Sequence, residues 1–196
     1  MLIASIIQPI FKDMNYACKL DEVLLFSSRF NQQATCFKYS TNFTIMYPPL
    51  NLPPAELRMD GEQVWDGLRK KWLKCTPEEW VRQHFIHYLI HHLNYPKGRM
   101  VSEYLVKYNQ MNKRCDIALF SADRKAEVIV ECKAPKIALT EDTFYQVAKY
   151  THVLGAPLLI LTNGLVHYCA LIDQNAGTIK YLPEIPNYEN LKKLIG

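Results

Sequence analysis

Hydrophobic and polar positions fall into a readable series of periods from residue 76 onward. Thr76 can cap a helix, Pro77 suits its first position, and Glu79 stands where a capping-box carboxylate belongs. Trp80, Val81, Phe85, Tyr88, Leu89 and His92 recur at helical spacing, which predicts a helix to about Leu93, ended by Asn94-Tyr95-Pro96-Lys97-Gly98. Met100 to Tyr108 alternates like a strand. Arg114 to Phe120 follows, with Cys115, Ile117 and Leu119 on one face and Asp116, Ala118 and Phe120 on the other. The polar run Ser121 to Ala126 reads as a hairpin connection. Glu127 to Lys133 is the return strand, with Val128, Val130 and Cys132 opposed to Ile129, Glu131 and Lys133.

Thr140 can cap a second helix, Glu141 to Leu154, whose Phe144, Val147, Ala148, Thr151 and Leu154 make a packing stripe that Gly155-Ala156-Pro157 stops. Leu158 to Leu161 is continuously apolar, as a strand buried on both faces would be. Turns at Asn163-Gly164 and Asn175-Ala176-Gly177 lead into strands Leu165 to Ile172 and Thr178 to Leu182. Helix, three strands, helix and further strands predict an α/β fold of the α+β mixed-sheet kind. Helices flank its sheet, and the second helix crosses over to a parallel strand.

The chain before this series reads differently. Residues 1–45 show no sustained period, and Tyr47 to Pro54 is a proline-rich arm. We expect a domain over residues 46–196, begun at Met46, with residues 1–45 an upstream extension. Asp60-Gly61 marks a turn, while Val64 to Leu73 fits either a hairpin or a short helix.

Composition narrows the class. With 196 residues, 49% of them hydrophobic, the chain can bury one core. No apolar run approaches the roughly 20 residues of a membrane span. The apolar start has no basic residues before it and runs into Gln8-Pro9, which argues against a secretory leader. Six scattered cysteines form no C-x-x-C, so a reduced, cytoplasmic protein is expected. The net charge of +4 permits nucleic-acid binding without requiring it; Arg69, Lys70, Lys71 and Lys74 cluster locally. His84, His87 and His91 share a helix face beside His92, but they lack a ligand spacing such as H-E-x-x-H and read as surface or packing residues.

Asp116 and Glu131 carry the candidate chemistry. A symmetric hairpin pairs Phe120 with Glu127 and therefore Asp116 with Glu131. Opposed carboxylates would lie roughly 5 Å apart at Cβ, where like charges destabilise a sheet. A divalent cation would offset the repulsion, because Mg²⁺ binds through one or two carboxylates and keeps waters for a substrate. Lys133 shares the Glu131 face and could hold a phosphate or the attacking water of a phosphodiester hydrolysis.

Asp116, a hairpin, Glu131-x-Lys133 and a following helix together resemble the PD-(D/E)xK nuclease superfamily. Pro77 to Gln83, Asp116-Ile117, Val130 to Pro135 and Leu161 to Gly164 are similar to the N-terminal nuclease domain of type I restriction enzyme R subunits. The resemblance covers about Pro48 to Pro183. It implies a restriction-endonuclease-like core, Mg²⁺ (with Mn²⁺ as an alternative) and a DNA substrate. In its terms Asp116 and Glu131 match metal-binding acids and Lys133 the catalytic lysine. Gln146 and Tyr150 match a Q-x-x-x-Y pair, placing Gln146 as a catalytic helper and Tyr150, with Lys133 and Lys136, against DNA. Glu79 matches a first-helix glutamate that completes the metal shell, in competition with its capping role.

Cys115 departs from the pattern by replacing its proline. No G-x-x-x-x-G-K-[ST] is present, so any motor or specificity function would come from separate subunits. Homo-oligomerisation is open. The rival reading is a catalytically silent nucleic-acid-binding or scaffolding module that needs such a partner.

Overall fold

The computed structural model describes residues 47–108 and 111–196; for residues 107, 108, 111 and 149–151 the backbone alone is described. The readings made for residues 1–46, including Met46 as a start, lie outside the described residues.

A small antiparallel sheet comes first, with β1 (Met59–Asp60), β2 (Gln63–Asp66) and β3 (Lys71–Lys74) in sequential order. The alternatives left open for Val64 to Leu73 resolve to a hairpin, and Asp66 supplies the reason. Its fully buried carboxylate accepts from the N–H groups of Leu68 and Arg69, at 2.8 and 2.9 Å, which fixes the β2–β3 turn. The same carboxylate accepts from Ser102 Oγ at 3.1 Å and so ties the hairpin to the main sheet.

Helix α1 (Pro77–His91) leads to β4 (Met100–Tyr108), β5 (Met111–Phe120) and β6 (Ala126–Cys132). After α2 (Glu141–Leu154) come β7 (Leu158–Thr162), β8 (His167–Asp173), β9 (Thr178–Tyr181) and α3 (Tyr188–Ile195). The six strands lie in the order β4-β5-β6-β7-β8-β9, antiparallel throughout except between β6 and β7. Parallel neighbours need a crossover, and α2 is that crossover. The fold is thus the expected mixed sheet flanked by helices.

Each face of the sheet has its own core. Val81, Phe85 and Leu89 of α1 and Leu191 of α3 pack on Ile117, Leu119, Val130 and Ile160. Phe144, Val147 and Ala148 of α2 cover Ile129, Leu159, Leu161 and Ala170. All of β7 is buried, as its unbroken apolar run requires.

Beyond small shifts in strand bounds, such as β5 beginning at Met111 and β8 at His167, four details differ from the sequence reading. Helix α1 stops at His91, and Asn94 takes a left-handed φ of 58° just beyond it. A bulge between Leu119 and Phe120 sets Phe120 against Ala126 rather than Glu127, because the extra residue shifts the register at the hairpin end. Strict alternation also fails beside Asp116: Cys115 packs with the α2-side core while Ile117 packs with the α1-side core. Lastly, α3 was not anticipated. Asn187 caps it, accepting from Asn190 N at 2.8 Å, and Lys192 Nζ reaches the buried Glu127 at 2.6 Å.

Candidate active site

The middle of β5 and the C-terminal end of β6 meet the first turns of α1. Past the bulge the β5–β6 register recovers as Leu119↔Val128, Ala118↔Ile129 and Ile117↔Val130. Asp116 and Glu131, the next residues along, fall just beyond the paired ladder. Asp116 is not simply another rung: its Oδ2 accepts from the backbone N–H of Cys132 at 2.6 Å, and its Oδ1 from Arg82 Nη2 at 2.5 Å. Opposite it on β4, Glu103 has a positive φ of 55° and drops out of the ladder between Ser102↔Ile117 and Tyr104↔Cys115. The local kink in β4 and β5 turns Asp116 toward α1.

Arg82, nearly buried, is the hub. Its Nη1 donates to Glu79 Oε2 at 2.7 Å and pairs with Glu103 Oε1 at 2.8 Å; its Nη2 also lies 3.5 Å from Glu78 Oε1. Burial works to lower the guanidinium pKa, but the charges of Asp116, then Glu79 and Glu103, outweigh it and hold it above its usual value. Arg69 extends the network, joining Asp66 at 2.5 Å to Glu79 at 3.2 Å. The sequence marks Arg69 only as part of a cationic cluster and gives Arg82 no role. The available signal was the i, i+3 and i, i+4 placement of Glu78 and Glu79 before Arg82 on a capped helix.

Glu79 is drawn wholly into this network, with Gln83 Nε2 donating to Oε1 at 2.7 Å. Its backbone N–H is capped by Thr76 Oγ1 at 3.1 Å. The reciprocal half of a capping box is not formed, since the Thr76 N–H donates to Lys74 O at 3.0 Å. Arg82 stands between Glu79 and Asp116. Among the described residues no three His, Cys, Asp or Glu side chains group together to hold a metal ion.

Glu131 and Lys133 share a side as the period of two requires, and their side chains meet at 2.7 Å. Burial, followed by the charge of Glu131, pushes the Asp116 carboxyl up to about 7, despite Arg82 and the Cys132 amide. Burial likewise raises Glu131, against the pull of Lys133. Burial works to lower Lys133, but its hydrogen bond to Glu131 outweighs that and raises it. Glu131 Oε2 is buried and has no hydrogen-bond partner among the described residues.

The charge balance is informative. Asp66, Glu78, Glu79, Glu103, Asp116 and Glu131 are linked to only four cations, Arg69, Arg82, Arg114 and Lys133. Six carboxylates against four cations leave two negative charges when all are ionised. Together with the unpartnered Glu131 oxygen, that excess fits a divalent cation held by Asp116 and Glu131.

The remaining predicted residues lie farther out. Gln146 is exposed on α2, and among the described residues no hydrogen bond joins it to the acids. Tyr150 is on the same helix, its side chain outside the described residues. Lys136 is exposed in the turn after β6. Asn163 braces that turn, since its Nδ2 donates to Ile137 O at 2.9 Å while its Oδ1 accepts from Leu165 and Val166 N–H. His87 and His91 stack with ring centroids 4.3 Å apart, away from this network. Cys75, Cys115, Cys132 and Cys169 are buried free thiols. No helix among the described residues is long and apolar enough to cross a membrane.

The family described as Type I restriction enzyme R protein N terminus (HSDR_N) matches residues 77–186, more than half of the 196. That span includes Glu79, Arg82, Asp116, Glu131 and Lys133. No curated protein matches the chain. A solved fragment assigned to an HsdR subunit of a type I restriction enzyme from Vibrio vulnificus YJ016 is similar at 23% identity and a TM-score of 0.36. The likeness covers 48% of this chain and 20% of that one, so this chain matches about a fifth of that structure's length. By the extent of its family match, the chain belongs to the family of type I restriction enzyme R protein N termini.

Proposed function

We propose that the chain is a Mg²⁺-dependent DNA endonuclease domain of the PD-(D/E)xK kind, hydrolysing phosphodiester bonds. The observation that carries this reading is Glu131, paired with Lys133 at 2.7 Å and retaining a buried unpartnered oxygen, beside an Asp116 carboxyl held up near 7. Two carboxylates that repel each other in a buried corner are a cost to the fold unless a cation joins them.

Asp116 and Glu131 would hold the cation. When bound, Mg²⁺ neutralises charge on the phosphate and acidifies a coordinated water. Lys133 Nζ, paired with Glu131, would orient the attacking water or a phosphate oxygen. Gln146 would approach the same centre only with substrate present, and Lys136 and Tyr150 would contact the DNA backbone.

A second reading is a nucleic-acid-binding module without catalysis. It is favoured by Arg82, which engages the Asp116 oxygen that a cation would take. Plasmid incubated with the protein and Mg²⁺, or Mn²⁺, tests both readings. Nicking that EDTA abolishes, and that Asp116→Ala and Lys133→Ala variants lose, is the expected result. Equal nicking by all three proteins would sink the catalytic assignment. No nicking, with salt-sensitive DNA binding, would select the silent module.

A further inference from the structure

We propose that the outer face of the β1–β2–β3 sheet is a stacking platform for single-stranded DNA, separate from the carboxylate centre. The sheet precedes residue 77, where the family match begins. Trp65 and Trp72 are register partners across β2 and β3, with ring centroids 5.5 Å apart and planes inclined at 67°. The neighbouring pair, Val64 and Leu73, points to the opposite side, where Val64 is fully buried. The two indoles are therefore on the face turned from the core, and both are only half-buried. The exposed Arg58 lies over both rings, its guanidinium carbon 5.5 Å from the Trp65 centroid and 5.1 Å from that of Trp72.

Three flat groups are thus gathered on one small sheet, and cations border them. Lys70, Lys71 and Lys74 are exposed, and among the described residues none of them, nor Arg58, is in an ion pair. Lys97 Nζ lies against Gly67 in the β2–β3 turn, close enough to be 3.3 Å from a Cβ there. Asp60 and Glu62 flank the opposite turn, so the positive end is the β2–β3 turn. That turn also carries Arg69, which is bonded to Glu79 of the carboxylate network. Lys71, paired with Asp66, is on the far side with Leu73, whereas a strand crossing the tryptophans and leaving over Lys70 would run toward Asp116 and Glu131.

The chemistry selects the occupant. Indole and guanidinium faces recognise unstacked bases, each with a π-face to offer, and lysines at the border track phosphates. In a duplex the base faces are consumed by stacking, so only the lysines would find a partner. The inference depends on the nuclease reading for the choice of DNA as ligand; the binding itself needs neither metal nor catalysis.

The test uses the full chain in EDTA with a fluorescein-labelled oligothymidylate, read by anisotropy and by quenching of intrinsic tryptophan fluorescence. Binding with quenching is expected, and the doubly substituted Trp65→Leu, Trp72→Leu protein should bind at least fivefold more weakly, the lower limit for loss of one base–aromatic stack. Duplex of the same length should show little change between the two proteins. Undiminished oligothymidylate affinity in a folded double variant, or binding without quenching, would overturn the platform and leave the tryptophans as a clamp on Arg58. Should the tryptophan variant not fold, Lys70→Gln with Lys74→Gln, the latter on the Trp72 face, alters only exposed side chains. It should flatten the log-affinity versus log-salt slope by about 1.4, and an unchanged slope would overturn the proposal. Metal-dependent plasmid nicking is scored separately, so loss of the platform and loss of the nuclease reading give different results.

Discussion

Arg82 on α1 donates to Asp116 on β5 at 2.5 Å, across 34 residues of sequence, and so the acid beside Glu131 is held by a cation from the first helix. The same guanidinium reaches Glu79 and Glu103, which makes it the counter-ion for a corner that would otherwise be strongly negative.

Arg82→Met should therefore be costly to the fold. Removing one partner of a buried ion pair leaves the other charge uncompensated, and a loss of about 3–5 kcal/mol is expected. Urea denaturation in EDTA at pH 8 measures it. Added Mg²⁺ should recover part of the loss if Asp116 and Glu131 take up the cation, and no recovery would count against a metal there.

Lys133→Met should remove nicking by about 10²–10³-fold, the range for loss of one positioned charge-stabilising donor. Duplex affinity should change much less, because one lysine among many sets only a small part of the salt-dependent attraction. Single-turnover cleavage and anisotropy, run side by side, separate the two effects.

Stability without metal should depend on pH through Asp116. Its folded pKa of about 7 lies above the ordinary value, so the folded state keeps a proton that the unfolded chain releases. The stabilising contribution is full below the ordinary carboxylate range and is lost as pH rises toward and through 7. Thermal unfolding in EDTA should show that decline between about pH 4 and 7, and Asp116→Asn should flatten it. A variant whose slope matches that of the parent protein would remove Asp116 as the source.

Gly164→Ala tests how the arm is seated. Gly164 has φ +80°, and a Cβ there would come 2.7 Å from Leu50 Cδ2 and 3.2 Å from Val81 Cγ2. The Gly164 carbonyl also accepts from Asn51 N–H at 2.7 Å. Loss of more than about 1 kcal/mol is expected, since alanine at positive φ destabilises where glycine does not. A denaturation midpoint equal to that of the parent would show that the arm yields without cost.

The elements with strong periods were legible from sequence. Helix Glu141–Leu154 and strand Met100–Tyr108 have the bounds that their patterns indicate, and Leu158 onward is the buried parallel strand. Val64 to Leu73 was not, because a tertiary bond, Asp66 to Ser102, helps to choose the hairpin. Short α3 escaped notice because eight residues carry little periodicity and gain their stability from docking, through Leu191 and Lys192.

The site divides along the same line. By itself the sequence determined that Glu131 and Lys133 lie on one side of a strand, because side-chain direction along β-structure follows from a period of two. It also set the β5–β6 register through the ladder Ile117↔Val130 to Leu119↔Val128, despite the bulge nearer the turn. Only the tertiary structure decided which way Asp116 faces and what neutralises it. The kink at Glu103, the break in alternation at Cys115 and the arrival of Arg82 and Arg69 all depend on α1 and the β2–β3 turn packing over the sheet end. A buried charge takes its partner from whatever the fold brings near it, and local sequence spacing does not contain that information.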